Sequence, residues 1–255
     1  MISRWIVAAA LAVAAAPVCA QDLRTRIESA PDGIVRLSYA SKEGVCGNGR
    51  NNISTHRGSH WRDDGWESEC DEGPVRVAID ISGKRIYSVR TYVGGRWRPM
   101  DGRVTDLGTV GAPQAAAYFL SLAEQSDRVK GDLILPAILA DSAEVWRDLL
   151  RIAKNDRIAR EPRKNAVFWL SQEASDAATK GLTDLVEDDK EDREVREQAV
   201  FALSQLPDDQ GVPALIHAAK TSKDPEVRKK AIFWLGQSDD PRALSLFEEL
   251  LASKP

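Results

Sequence analysis

The chain has 255 residues, of which 43% are hydrophobic and 29% charged, with a formal net charge of −4 at pH 7. It is long enough to bury a sizeable core and too apolar for a disordered chain. Its mild acidity argues against nucleic acid as a partner, because phosphate binding needs a concentrated positive face.

The first twenty residues carry Arg4, an apolar run from Trp5 to Val18, and Val18-Cys19-Ala20 ahead of the polar Gln21-Asp22. The run is shorter than the ~20 apolar residues of a membrane span and contains Pro17, so residues 1–20 read as a secretory signal peptide cleaved after Ala20. The expectation is an exported protein, periplasmic or extracellular, with no membrane span after cleavage. Removing the leader also removes Cys19, leaving Cys46 and Cys70 as an even pair.

Residues 21–112 read as strands in a small antiparallel β domain. Val35, Leu37 and Tyr39 alternate with Arg36 and Ser38, and Val75, Val77, Ile79 and Ile81 alternate with Arg76, Ala78 and Asp80. Period two with polar intervals marks half-buried strands. Ser82-Gly83 predicts a tight turn into Ile86–Val93, and Gly94-Gly95 a second turn toward Trp97, which together make a meander.

Between the first strand and the meander lies a polar stretch, 41–73, with many Gly and Asn and no apolar period. A loop of that length in a compact domain is functional or disordered. It contains Cys46, His56, His60 and Cys70, a set that has two readings. In an oxidising compartment the two Cys form a disulfide. The alternative is a zinc site with all four residues as ligands, although finger-type thiols usually stand two to four residues apart and these are far more widely spaced. His56, Arg57, His60, Trp61, Arg62 and Trp66 form a basic, aromatic cluster, a candidate recognition tip because Trp and Arg are enriched in binding hot spots.

From Pro113 the period becomes helical. Ala116, Phe119, Leu120 and Ala123 face inward on a first helix, and segments 131–141 and 143–153 are expected to form a divergent helical hairpin within 113–159. Three copies of one phrase follow: Ala166-Val-Phe-Trp-Leu-Ser-Gln172, Ala199-Val-Phe-Ala-Leu-Ser-Gln205 and Ala231-Ile-Phe-Trp-Leu-Gly-Gln237. An Arg precedes each Ala by three (Arg163, Arg196, Arg228), and Asp192 and Asp224 stand four before the last two Arg. A period of 32 to 33 residues signals stacked helical hairpins, which divide into repeats 160–191, 192–223 and 224–255. The scaffold positions are Arg163, Phe168, Leu170, Arg196, Phe201, Leu203, Arg228, Phe233 and Leu235, and the three Phe are expected to be buried between successive hairpins.

Over about residues 160–255 these phrases resemble short HEAT repeats of the kind also found in phycobilin-lyase-type proteins. The resemblance implies a C-terminal α-solenoid, hence an α+β chain overall, whose usual work is holding another macromolecule. It brings no catalytic residue with it. No nucleophile elbow, phosphate-cradling Gly loop or His-Glu-x-x-His occurs. The expectation is a non-catalytic, exported scaffold or adaptor that binds a protein and needs no cofactor. The alternative is an envelope enzyme or a ligand- or metal-binding domain with its site in loop 41–73.

Overall fold

The computed structural model describes residues 23–50, 52–55, 70–125, 128–172 and 176–252. A short helix, α1 (Leu23–Glu28), precedes the first strand. Leu23 and Ile27, one turn apart, are both buried, and Arg24 donates to Ser121 Oγ at 2.6 Å. The reading of 21–112 as strands passes over this helix, whose one mark in the sequence is that i, i+4 apolar pair.

Strand β1 (Gly33–Tyr39) is followed by three two-residue strands, β2 (Cys46–Gly47), β3 (Ile53–Ser54) and β4 (Asp71–Glu72), and then by β5 (Val75–Ser82), β6 (Arg85–Val93) and β7 (Val104–Thr109). The long strands form one sheet in the order β6-β5-β1-β7. Val35, Leu37 and Tyr39 stand opposite Ile79, Val77 and Val75, and all six are buried on the face that meets the helices. The β5–β6 hairpin turns where Ser82-Gly83 requires it, and Asp32 accepts from the Gly83 and Lys84 N–H groups at 2.8 and 3.0 Å.

The expected meander is corrected beyond that hairpin. After Gly94-Gly95 the chain does not return beside β6; it reaches the far side of β1 and pairs parallel with it as β7. The sheet is therefore mixed. Trp97 instead lies against the open face of the sheet, with the Arg36 guanidinium 5.3 Å from its ring centre.

Helix α2 (Ala112–Gln125) buries Ala116, Phe119, Leu120 and Ala123. The helix expected over 131–141 shrinks to α3 (Leu135–Ile138). Asp132 caps its start, accepting from Ile134 and Leu135 N–H. Its end is diverted into an antiparallel bridge between Ala140 and Ser41, in which Lys42 N–H donates to the Leu139 carbonyl and Asp141 N–H to that of Ala40. The residues given up by the helix stitch the strands to the helices.

The remaining helices are α4 (Trp146–Lys154), α5 (Arg160–Leu170), α6 (Asp176–Glu187), α7 (Arg193–Ser204), α8 (Val212–Thr221), α9 (Pro225–Leu235) and α10 (Pro241–Ala252). Helices α5, α7 and α9 stack in one layer and α4, α6, α8 and α10 in another. Leu182 and Leu185 in α6, Leu215 and Ala218 in α8 and Ala243 and Leu246 in α10 are buried i, i+3 pairs. Strand and helix side chains join in one continuous apolar core.

Candidate binding surface on the stacked helices

Each part of the repeated phrase has a distinct task. Ala166, Ala199 and Ala231, with Leu170, Leu203 and Leu235, are buried and make the stack. The Arg three residues ahead turns back to the preceding helix. Arg163 Nε donates to the Ala153 carbonyl at the end of α4 (2.9 Å), and Arg196 Nε to the Val186 carbonyl at the end of α6 (3.1 Å). Arg228 Nη1 donates to the Ser222 carbonyl just past α8 (2.6 Å). A cation at a helix C-terminus satisfies orphan carbonyls and complements the helix dipole. Arg163 also meets Glu191 at 2.5 Å, both side chains being nearly inaccessible. Arg196 reaches Ser222 Oγ at 3.2 Å and Asp189 at 3.5 Å.

Asp192 and Asp224 are N-caps, accepting from Glu194 and Val195 N–H and from Glu226 N–H respectively. Each also receives an Arg from the repeat before it: Arg160 reaches Asp192 at 3.0 Å and Arg193 reaches Asp224 at 2.9 Å. In the third repeat Pro225 takes the place of that Arg, so the ladder stops there.

A Ser-Gln ending closes the first two stacked helices, α5 and α7. Ser171 Oγ donates to the Phe168 carbonyl (2.6 Å) and accepts from Gln172 Nε2 (3.1 Å), and Ser204 repeats both bonds with Phe201 and Gln205 at 2.7 and 3.1 Å. The third copy has Gly236 instead and cannot make them.

The Phe residues are placed otherwise than expected. Phe168 and Phe201 are half-buried and Phe233 is 56% exposed. They stand on the outward side of α5, α7 and α9, where the pattern Glu161, Phe168, Gln172 recurs as Glu194, Phe201, Gln205 and Glu226, Phe233, Gln237. Phe201 tilts onto Trp234 of the following repeat, ring centres 5.1 Å apart. Phe233 lies edge-on to its own neighbour Trp234, ring centres 5.0 Å apart, and meets no ring of another repeat among the described residues. A single sequence cannot separate an apolar residue that stacks inward from one that recurs because the outward face recurs.

This row of aromatic rings runs into a groove of about 440 Å³ where α5 meets α2 and the segment before α3, lined by Phe168, Lys164, Glu161, Gln198, Ile134 and Val129 among others. Asn165 Nδ2 spans its floor to Asp132 Oδ1 (3.0 Å). Ring faces, amide groups and both signs of charge are present along it.

In loop 41–73, Cys46 and Cys70 are joined by a disulfide, with their Cα atoms 5.3 Å apart. Both thiols are consumed, so the zinc set of Cys46, His56, His60 and Cys70 is not available in this form. His56, Arg57, His60, Trp61, Arg62 and Trp66 lie outside the described residues. The base of the loop is ordered, which its composition does not announce: β2 pairs with β3 and β4 and docks on the turn after β6. Gly94 there has φ +66°, and a Cβ would stand 2.5 Å from the Gly47 carbonyl oxygen and 2.6 Å from that of Asp71, so only glycine fits. Among the described residues no group of three or more His, Cys, Asp or Glu gathers as a metal site, and no helix is long and apolar enough to cross a membrane. His217 is exposed on α8, 3.7 Å from Glu187.

Residues 179–255 match the family model for HEAT repeats, from within α6 through the last helix. No curated protein matches the chain significantly.

Proposed function

We propose that this chain, whose C-terminal segment is built of HEAT repeats, is a non-catalytic exported scaffold that holds a protein partner on the outward row of α5, α7 and α9. The observation that carries the reading is the incompletely covered aromatic row: Phe168 and Phe201 half-buried and Phe233 exposed, each flanked at the same spacing by Glu and Gln. Core positions of the repeat are filled by Ala, Val and Leu, so an outward Phe at every repeat is not needed to hold the stack together. HEAT repeats present such a surface for protein binding, and no nucleophile motif competes with that use in the sequence. Export is supported by the leader-like first twenty residues and by a disulfide, which persists in oxidising compartments.

The test is a photoreactive amino acid placed at position 233 and, as a control, at Lys180 on the other helical layer, in cells making the protein. Position 233 should capture a defined partner and Lys180 should not, and Phe233→Glu should abolish capture by a crosslinker at Gln237 while leaving the melting temperature unchanged. Equal capture at both faces, or none at position 233, refutes the reading. Intact mass of the exported protein should begin at Gln21; a retained Met1 refutes export by cleavage.

A further inference from the structure

The face of the sheet turned away from the helices carries a second surface with a different chemistry. Across β1, β5 and β6 the register sets Arg36, Ala78 and Arg90 in one row and Ser38, Arg76 and Tyr92 in the next. Trp97 folds against this face, its ring edge-on to Tyr92 at 6.4 Å. A groove of about 160 Å³ opens here, lined by Arg76, Arg90, Arg96, Arg98, Tyr92 and Trp97, and among the described residues no carboxylate lines it.

The arginines are not all matched by acids. Arg36 is held by Asp106 at 2.8 Å and Arg90 by Asp80 at 3.2 Å, which fixes their direction at the rim. Arg76 donates to the Gly94 carbonyl. Burial lowers the pKa of its guanidinium, an effect that Asp71 opposes, so it is a cation already partly stripped of water. Arg96 and Arg98 are exposed and have no hydrogen bond or ion pair among the described residues. Guanidinium forks match the geometry of carboxylate and sulfate, and aromatic rings offer a flat apolar surface beside them. The groove has room for about one sugar ring, and it lies on a chain of net negative charge, which disfavours a long phosphate backbone.

We propose that this groove binds an acidic saccharide, with Arg76, Arg96 and Arg98 on its carboxylate or sulfate and Trp97 and Tyr92 against the sugar ring. The site is separate from the helical row and does not depend on it.

The experiment is titration of the mature full-length chain with trigalacturonate and with a sulfated trisaccharide, followed by calorimetry and tryptophan fluorescence, against neutral maltotriose and oligothymidylate. One or both acidic trisaccharides should bind and maltotriose should not; which of the two binds tells carboxylate from sulfate. Arg96→Gln with Arg98→Gln should weaken binding roughly tenfold or more at an unchanged melting temperature, and Trp97→Phe, which keeps a ring, should weaken it less. Binding of neither acidic sugar, undiminished binding by the double variant, or tighter binding of oligothymidylate overturns the proposal.

Discussion

Arg196 shows how one side chain can hold two repeats. It is 4% exposed, its Nε satisfies the last turn of α6, and its Nη2 reaches Ser222 beyond α8. Arg196→Ala leaves the Val186 carbonyl without its charged donor and is expected to cost about 2–3 kcal/mol, since hydrogen bonds to charged groups contribute ~1.5–3 kcal/mol and an orphaned buried acceptor adds to that. Arg228 is only half-buried and makes one such bond, to Ser222, so Arg228→Ala should cost roughly 1 kcal/mol. Urea titration of both variants measures the contrast; equal losses would mean that the guanidinium is not a helix cap. The spacing Arg-x-x-Ala was legible in the sequence because it recurs. Its partner was not, since a backbone carbonyl ten residues upstream leaves no residue-type signature.

At the scale of the helix, the outward Phe residues separate packing from recognition. Phe201→Ala removes a half-buried ring that rests on Trp234 and is expected to cost about 1–2 kcal/mol, below the ~3–5 kcal/mol of a fully buried aromatic, whereas Phe233→Ala should stay within ~0.5 kcal/mol as an exposed change. Thermal melts decide it, and a large loss at position 233 would place that ring in a core. The Arg–Asp ladder adds a pH dependence. Desolvation works to raise the Asp224 pKa, but the Glu226 N–H and Arg193 outweigh it and hold it below the usual carboxylate range; a hydrogen bond from Lys223 lowers that of Asp189. A depressed carboxylate pKa contributes stability that is present above the unfolded value, ~4, and is lost as pH falls through the folded value. Melting temperature should therefore hold from pH 7 to about 5 and decline below about 4, and Asp224→Asn, which keeps a capping oxygen, should soften that decline. Loss of stability beginning near pH 6 would implicate a histidine instead. Periodicity found these helices because packing and repeat share one spacing. It overran α3 because the pull of Ser41 on Ala140 is a long-range pairing, and it mistook the path after Gly95 because parallel pairing with β1 is not encoded locally.

For the whole molecule the question is whether strands and helices are two folding units or one. Composition changes near residue 112, which invites a boundary there, yet the contacts crossing it are structural. Tyr39, the last residue of β1, is fully buried on the sheet's inner face and donates its hydroxyl to the Pro136 carbonyl at 2.7 Å. Lys42 and Leu139, Lys130 with Tyr87 and Val89, and Arg24 with Ser121 add further ties. Cys46 and Cys70 belong to a different level: their bond closes the loop base at one end of the sheet, so its reduction should cost ~3–4 kcal/mol by loop-closure entropy without freeing α7 to α10. Native-state hydrogen exchange distinguishes the cases, because it reports the opening free energy of each element separately. We expect β1, β5, α2 and α4 to share the highest protection, α9 and α10 to open at lower free energy because among the described residues they pack against a repeat on one side only, and Tyr39→Phe to lower the protection of strands and helices together by about 1–2 kcal/mol, the scale of one buried acceptor left unpaired. Burial also raises the pKa of the Tyr39 hydroxyl well above the ordinary tyrosine range, so its contribution is intact below about pH 10 and is lost as pH rises further, and its ionisation should appear only with global unfolding. If instead protection fell into two independent plateaus divided near residue 112, with Tyr39→Phe affecting the strands alone, the sheet would be a separate domain that merely touches the repeats.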